Sequence, residues 1–218
     1  INYLNYYLRC MHLIKSNGII ILDNYKINDT VLRAILKNPI LPGEEVIINI
    51  DWNHHIGDMV ERAGYYEGQY NMAQWYPKIA VYDDKGWHAD PFHAEGEFYG
   101  EFGDFEVEFE LPRKFIIGAS GIVTSGDPGW EMVRVDTSAD FHDWFEKFEQ
   151  LYIEPGSKEK RNVKFVAKNV HDFAWVASPN FLYEHDNYKD IDVHVLYNRV
   201  NAYDWNRVVR ERSVRALH

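Results

Sequence analysis

Alternation of hydrophobic and polar residues is the dominant pattern of this chain from Gly18 onward. The clearest example is the run GDFEVEFELP, which ends at Pro112. Its apolar positions are Phe105, Val107, Phe109 and Leu111, and the acidic positions between them are Glu106, Glu108 and Glu110. Because successive side chains of a strand point to opposite faces, this run predicts a strand with one buried face and one solvated face.

Further runs of this kind predict strands at short, regular intervals. They lie in GIIILDNYKI, TVLRAIL, EVIINIDW, QYNMAQWYPKIAVYDD, KFIIGASGIVTSG, NVKFVAKNVHDFAWVAS and IDVHVLYN. Pro77 interrupts one of them, which favours an edge strand or a bulge at that point. Residues 53–68 are rich in histidine, glycine and charge, and they predict a loop. Residues 1–16 fit either a short helix or a pair of strands and stay unassigned.

Two segments break the strand pattern and predict helices. The first, from Ser138 to Tyr152, carries aromatic residues at i, i+3, i+4 and i+7, the spacing of one helical face. These residues are Phe141, Trp144, Phe145 and Phe148. Ser138 is the expected N-cap and Pro155-Gly156 the expected stop. The second is the tail DWNRVVRERSVRALH, whose thin apolar stripe has no evident partner in the chain. That stripe consists of Trp205, Val208, Val209 and Val214.

Together these elements predict a mainly β protein, either a β-sandwich or an open curved sheet of short strands, with one inserted helix and a C-terminal helix. Residues 17–200 are expected to form the β domain and residues 201–218 the terminal helix. Hydrophobic residues make up 46% of the 218 positions, which is enough to build a core.

Charge and composition narrow the classes of function. The formal net charge of −11 argues against nucleic-acid binding, which needs a basic surface. No apolar run reaches the roughly 18 residues that a membrane-spanning helix requires, so no membrane span is expected. Cys10 is the sole cysteine, which excludes an intrachain disulfide and leaves the cellular compartment open.

The ten histidines invite a metal site, but their spacing does not support one. They form neither an HExxH motif nor a Cys/His zinc pattern. His88 and His93 lie beside Asp90 and Glu95 in a predicted loop, where solvated histidines are the simpler interpretation. The other positions considered are scattered: His54, His55, His142, His171 and His194. No metal ligand is predicted in this chain.

Three other groups of residues admit both a functional and a structural interpretation. A glycosidase needs two carboxylates about 5–10 Å apart across a cleft, whereas the glutamates between Glu95 and Glu110 fit a solvated sheet face better. Ser120 lacks the Gly-x-Ser-x-Gly context of a nucleophile. Aromatic residues cluster around Trp87, where packing in the core and rim is favoured over a platform for sugars or peptides. That cluster contains Trp75, Tyr76, Trp87, Phe92, Phe98 and Tyr99.

Several short motifs occur in a fixed order across more than half of the chain. They are Leu41-Pro42-Gly43-Glu44, Trp75-Tyr76-Pro77-Lys78 with Val81-Tyr82-Asp83-Asp84, Gly96-Glu97-Phe98 with Glu101-Phe102-Gly103-Asp104, and NVHDFAWVAS from Asn169 to Ser178. Together with the whole stretch from Tyr70 to Gly121, they resemble the N-terminal domain of the zinc aminopeptidases of the aminopeptidase N and leukotriene-hydrolase family. The family's HExxH helix and its Gly-x-Met-Glu-Asn loop do not occur in these 218 residues.

The resemblance implies a saddle-like β-sandwich within residues 17–200 and a helix at 201–218 that leads toward a catalytic domain. It implies a parent enzyme that removes N-terminal residues from peptides with the help of zinc. This chain alone is expected to bind no zinc and to hydrolyse nothing. Its expected partners are the catalytic domain of the same parent protein and, in that parent, the peptide substrate.

The resemblance also implies two substrate-binding residues, Gln69 and Asn71. In the family, a Gln-x-Glu or Gln-x-Gln pair on this strand reaches the active site, and its second residue helps to hold the substrate's free α-amine. Asn71 can accept a hydrogen bond from an ammonium but carries no charge, so it departs from the acidic version. The alternative is that both residues are ordinary polar strand residues.

Two further hypotheses belong to other classes of protein. One is a free-standing β-sandwich module that binds a carbohydrate or a peptide through its aromatic residues. The other is a degenerate family member that acts as a scaffold. Both predict a natural stop codon near His218, whereas a fragment of an enzyme predicts exposed apolar surface on the terminal helix and self-association.

Overall fold

The computed structural model of the protein describes residues 7–15, 18–21, 25–36, 38–53, 55–58, 62–93, 95–96, 99–156 and 158–217. The fold is mainly β, with 44% of residues in strands and 17% in helices, which confirms the predicted fold class. Among the described residues, no helix is both long enough and apolar enough to cross a membrane.

The strands are numbered along the chain. They are β1 Tyr7–Lys15, β2 Gly18–Ile21, β3 Tyr25–Asn28, β4 Val31–Ala34, β5 Val46–Asn53, β6 Ala63–Tyr66, β7 Gln69–Met72, β8 Val81–Asp83, β9 Gly86–His88, β10 Gly103–Pro112, β11 Ile116–Ala119, β12 Ile122–Gly126, β13 Lys160–Val170, β14 Trp175–Ser178, β15 Phe181–Tyr188 and β16 Ile191–Asn198. The helices are α1 Phe141–Leu151, α2 Ala202–Trp205 and α3 Val208–Ala216, with 3-10 turns at Trp130–Val133 and Arg199–Asn201.

The chain folds into two compact units, each built from two stretches of sequence. The first unit comprises Ile1–Gly57 and Trp75–Glu101, and the second comprises Asp58–Gln74 and Phe102–His218. The first unit contains a three-stranded antiparallel sheet in the order β2-β1-β5 and two hairpins, β3–β4 and β8–β9. Residues 7–15 form one strand that pairs with β2 and β5, and residues 1–6 and 16 lie outside the described residues.

The second unit is a sandwich of two sheets, β10-β13-β12 and β11-β14-β7-β6, with the hairpin β15–β16 beside them. Phe109 of β10 lies 5.5 Å from Trp175 of β14 between ring centroids, so the apolar faces of the two sheets meet. Phe165 and Phe173, both fully buried, complete this aromatic layer. Rings of this size bury large apolar areas, which explains why a few of them suffice to join two short sheets.

Strand β10 has the two faces that its sequence predicts. Its odd-numbered residues are partly buried and its glutamates are exposed. Two of these glutamates form cross-strand ion pairs on the solvated face, Glu106 with Lys164 at 2.5 Å and Glu110 with Lys160. The glutamates of β10 therefore form a solvated sheet face, as the sequence favours. Alternation along the strand directs their side chains to solvent, where lysines of the neighbouring strand pair with them.

Helix α1 confirms the predicted apolar face but not the predicted cap. Phe141 and Phe145 are buried in the core of the second unit. The N-cap is Asp140, whose carboxylate accepts hydrogen bonds from the backbone N–H groups of His142 and Asp143 at 2.9 and 3.2 Å. Ser138 instead donates its hydroxyl to Asp136 at 2.6 Å. The prediction that Ser138 is the N-cap was wrong. Asp140 can also cap a helix that begins here, and it lies closer to the first helical turn.

The C-terminal tail forms two helices instead of one. The break falls at Asn206 and Arg207, and Arg207 has a positive φ of 57°. Helix α3 packs against β15 and β16, and Val214 joins the buried cluster of the second unit. The thin apolar stripe therefore has a partner at Val214, whereas Trp205 and Val208 remain 47% and 43% exposed.

Two local predictions fail at a turn and at a proline. The predicted loop 53–68 contains all of β6, which pairs with β7 through a turn at Glu67 and Gly68. Both turn residues have positive φ, 45° and 87°, which is the backbone of a type I′ hairpin turn. The strand predicted around Pro77 ends before it, at Met72, so Pro77 lies in a connection and not at an edge or a bulge.

Candidate functional site

Strand β7 is the element that positions the predicted substrate-binding residues. It is hydrogen-bonded on both sides, to β6 and to β14, where Asn71 pairs with Gly64 and with Val176. The tight turn that joins β6 to β7 fixes the register between them. The backbone of Asn71 is therefore held from both sides, whereas, among the described residues, Gln69 pairs with Tyr66 of β6 alone.

Alternation along β7 separates a packed face from a polar face. Tyr70 and Met72 belong to the packed face: Met72 is buried, and Tyr70 lies 5.6 Å from Phe115 between ring centroids. Burial, and then the neighbouring Tyr65, raise the pKa of Tyr70 above its usual value. Gln69 and Asn71, on the opposite face, are both half-buried.

The side chains of Gln69 and Asn71 are joined by a hydrogen bond. The Gln69 Nε2 group donates to Asn71 Oδ1 over 2.8 Å. This bond holds both amides in one orientation and leaves the Gln69 carbonyl as an acceptor and the Asn71 amide nitrogen as a donor. One acceptor next to one donor matches the two polar groups of a peptide backbone, the N–H and the C=O.

Asn71 also borders a cavity of about 490 Å³. The residues around it are Arg62, Asn71, Met72, Ala73, Ala174, Trp175 and Val176. The lining is mostly apolar, with Asn71 as a neutral polar group and Arg62 as the charged residue. This depression is open to solvent, so it offers a contact surface to a peptide and does not enclose a ligand.

Two of the other residues considered from sequence, His88 and Ser120, have structural partners. The His88 Nε2 atom lies 2.8 Å from a carboxylate oxygen of Asp83 on the neighbouring strand, and this contact lowers the pKa of Asp83. Ser120 accepts a hydrogen bond from the backbone N–H of Ala174 at 3.0 Å, which ties two loops together. His54 lies outside the described residues. Within the part of the chain that the structure describes, His88 does not belong to a group of three or more potential metal ligands.

Sequence reasoning missed one group of side chains. His185, Asp192 and His194 come together on the β15–β16 hairpin, with one potential ligand atom from each within 4.8 Å of the others. A signal for this group exists in the sequence, because His185 and His194 are equally distant from the turn at Lys189 and Asp190. Two residues placed symmetrically about a two-residue hairpin turn lie opposite each other across the strands.

Comparisons of this chain with models of protein families, with curated proteins and with solved structures found no match.

Proposed function

We propose that this chain is a non-catalytic β domain of an aminopeptidase-like protein and forms one wall of a peptide-binding cleft. The single observation that carries this proposal is the Gln69–Asn71 pair on the half-buried face of β7, locked by its 2.8 Å hydrogen bond beside a mostly apolar cavity. The sequence motifs that resemble those of the zinc aminopeptidase family give the proposal its direction.

In this proposal, Gln69 and Asn71 orient the N-terminal residue of a peptide. The Gln69 carbonyl accepts a hydrogen bond from the peptide's ammonium group, and the Asn71 amide nitrogen donates to the first peptide carbonyl. The apolar side chains that border the depression, such as Val176, give the peptide an apolar contact surface beside these bonds.

The charge around the cavity limits this recognition to modest affinity. Asn71 supplies no negative charge, and Arg62 carries a positive charge at the border of the cavity. A neutral pair binds an ammonium less tightly than a carboxylate does, because charge-assisted hydrogen bonds are roughly twice as strong. The zinc ligands that the resemblance implies belong to an HExxH helix that these 218 residues do not contain. This domain therefore positions the peptide and supplies no group to the bond-breaking step.

The first test is the reading frame of the source gene beyond the codon for His218. The proposal expects a Gly-x-Met-Glu-Asn segment followed by HExxH within roughly 150 residues. A stop codon at that point would exclude the enzyme context and leave the free-standing binding module and the degenerate scaffold as hypotheses.

A second test measures recognition of the peptide amine by the chain itself. L-alanyl-L-alanine amide, titrated into the chain and followed by NMR, should shift the backbone signals of Asn71 and Val176, and the N-acetylated peptide should not. Asn71→Asp should tighten binding of the free amine by about fivefold, because a carboxylate next to the ammonium adds a charged interaction that outweighs the lost donation to the peptide carbonyl.

Asn162→Asp on β13 is the matched control, since it makes the same change at an exposed strand position. Equal tightening by both variants would point to a general effect of charge. If the acetylated peptide bound equally well, the chain would not recognise the free amine, and this part of the proposal would be wrong.

A second candidate function rests on the β8–β9 hairpin of the first unit. Tyr82 and Trp87 lie opposite each other with ring centroids 5.0 Å apart, and they are 65% and 63% exposed. Exposed aromatic pairs provide flat surfaces against which sugar rings and apolar side chains pack. This observation favours a carbohydrate- or peptide-binding module.

Its test is a titration with soluble glucan, mannan and chitin oligosaccharides, followed by tryptophan fluorescence. Binding that Trp87→Ala abolishes and Trp205→Ala leaves intact would support the module. The absence of any fluorescence change across these sugars would remove carbohydrates from this hypothesis.

A further inference from the structure

The hairpin β15–β16 places three potential metal ligands on one face. Its register sets His185 opposite His194 and Asn187 opposite Asp192. Because side chains alternate along each strand, His185 and Asn187 share a face with Asp192 and His194 across the ladder. Two imidazoles are thus direct cross-strand neighbours, and a carboxylate lies two residues from one of them.

The distances between these groups are close to those in a metal site. The His185 Nε2 atom lies 3.0 Å from Asp192 Oδ1, and a ligand atom of His194 completes the group within 4.8 Å. Ligands that bind a metal at about 2.0–2.1 Å in tetrahedral geometry stand roughly 3.3 Å apart. His185 and Asp192 already have this spacing, so only the ring of His194 must move closer to them.

Contacts around the three side chains hold them in place. The His194 Nδ1 atom lies 2.8 Å from the hydroxyl of the buried Tyr183, and its ring packs against Trp130 with centroids 4.6 Å apart. Asn187 donates to Asp192 Oδ1 over 2.7 Å. Such outer contacts fix the orientation of metal-binding histidines and carboxylates in known sites.

Arg134 lies near these three side chains, and its positive charge is partly offset. It therefore repels a bound metal ion less than a free arginine would. Arg134 is paired with Glu131 through two hydrogen bonds of 2.8 and 2.5 Å. Its guanidinium also lies over the ring of Tyr183, at 4.9 Å from the centroid. Because this arginine is compensated by Glu131, Asp192 is left to balance the charge of a cation at the hairpin.

We propose that His185, Asp192 and His194 bind one divalent transition-metal ion at the β15–β16 hairpin. Two imidazole nitrogens and one carboxylate oxygen suit zinc, copper, nickel or cobalt, and they are a poor set for magnesium or calcium, which prefer oxygen ligands. Three protein ligands leave a coordination position for water or for a group from a partner. A cavity of about 310 Å³ that His185 lines gives access on that side. This site is independent of the peptide site at β7.

The experiment is a titration of the 218-residue chain with Co²⁺ and with Zn²⁺. Cobalt is followed by its visible absorption and zinc by competition with a chromophoric chelator. The expected result is one equivalent of metal per chain, with cobalt bands typical of nitrogen and oxygen ligands. His185→Gln, Asp192→Asn and His194→Gln should each weaken binding by at least about tenfold.

His142→Gln is the matched control. His142 is an exposed histidine of the same unit, 3.7 Å from the carboxylate of Glu146, so it offers a histidine–carboxylate pair outside the hairpin. This variant should bind metal as the unchanged chain does. Circular dichroism of each metal-free variant checks that the fold is retained.

Binding that survives in the three hairpin variants, binding lost only in His142→Gln, or no binding at micromolar metal would each overturn the proposal. Bound copper provides a second measurement, which reports the ligand atoms directly and does not depend on the stability of the fold. The electron paramagnetic resonance spectrum of bound Cu²⁺ should show coupling to two nitrogens, and to one in either histidine variant.

Discussion

At the scale of single residues, the second unit depends on a few buried polar groups whose partners are all within the chain. Arg161 is nearly fully buried, and its guanidinium donates to the carbonyls of Arg113 and Asp127. Glu184 is 1% exposed and accepts hydrogen bonds from the hydroxyl of Tyr197 and the backbone N–H of Arg207. Buried groups of this kind cost free energy unless each is bonded, so their networks specify how loops and helices are arranged.

Tyr197 gives one prediction about pH. Burial, followed by its hydrogen bond to Glu184, raises the pKa of Tyr197 far above its usual value near 10. The unfolded tyrosine loses its proton near that value while the folded one keeps it. The folded state thus binds one more proton, and the free energy of unfolding falls as pH rises above about 10.

Urea unfolding of the chain and of Tyr197→Phe, between about pH 8 and pH 11.5, measures this effect. The phenylalanine variant should lose less stability over this range than the unchanged chain. Tyr25→Phe, at an exposed residue, should behave as the unchanged chain does. The same pH slope in all three proteins would contradict the assignment to Tyr197.

Two glycines with the same backbone angle give a second prediction. Gly43 and Gly126 both have φ of 82°, where an L-residue is strained. A Cβ atom on Gly43 meets nothing within 4 Å, whereas on Gly126 it would lie 2.0 Å from the carbonyl oxygen of Asn162. Gly43→Ala should lower the free energy of unfolding by about 1–2 kcal/mol. Gly126→Ala should lower it by about 1–3 kcal/mol more, because a backbone atom of β13 must move.

Chemical denaturation of both alanine variants checks this difference. If both variants lost the same free energy of unfolding, β13 would be able to move away from residue 126 at no cost in free energy.

At the scale of elements, the ends of helices and the turns of hairpins decide details that periodicity leaves open. Helix α1 begins after Asp140, and hairpin β6–β7 turns at Glu67 and Gly68. At the helix start a capping carboxylate sets the conformation, and at the hairpin two residues with positive φ angles do so.

The cap of α1 gives a third prediction. Asp140→Ala removes the acceptor for two backbone N–H groups and should lower the free energy of unfolding by about 1 kcal/mol. Ser138→Ala removes an exposed bond to Asp136 and should change it by less than about 0.5 kcal/mol. Thermal unfolding of both variants compares them. A larger loss in the serine variant would restore Ser138 as the residue that starts the helix.

Elements with a strong repeat were predictable from sequence, and those defined by pairing across the chain were not. Strand β10 and the aromatic face of α1 follow from periods of two and 3.6, because burial of one face imposes the pattern. The pair at Gln69 and Asn71 was found through a family resemblance. The proposed metal ligands were missed because His185 and His194 meet only through the register of a hairpin.

At the scale of the whole molecule, apolar surface remains exposed at the C-terminal end. Val200 is 83% exposed, and Tyr203, Trp205 and Val208 are exposed beside it in sequence. Single exposed apolar residues are ordinary, whereas a group of them marks a surface that associates. The net charge of −11 opposes association between copies at low salt.

A fourth prediction follows for the isolated chain. Sedimentation velocity should show self-association that grows with protein concentration and with salt, since salt screens the repulsion. Val200→Ser combined with Trp205→Ser should reduce it. Ile153→Ser is the control, because Ile153 is equally exposed, at 87%, and lies elsewhere in the same unit. A monomer at all concentrations would remove this surface as an interface between copies.

The order of strands in the two sheets of the second unit also has a consequence for synthesis. Strand β7 pairs with β14, and β10 and β12 both pair with β13, which comes after helix α1 in the chain. The ribosome adds about 5–20 residues per second, so β10 and β12 leave it seconds before the strand that joins them. During that interval their hydrogen-bonding edges and the apolar side of β10 are open to other nascent chains. The yield of folded protein in cells should therefore depend on chaperones that cover such edges until β13 and β14 emerge.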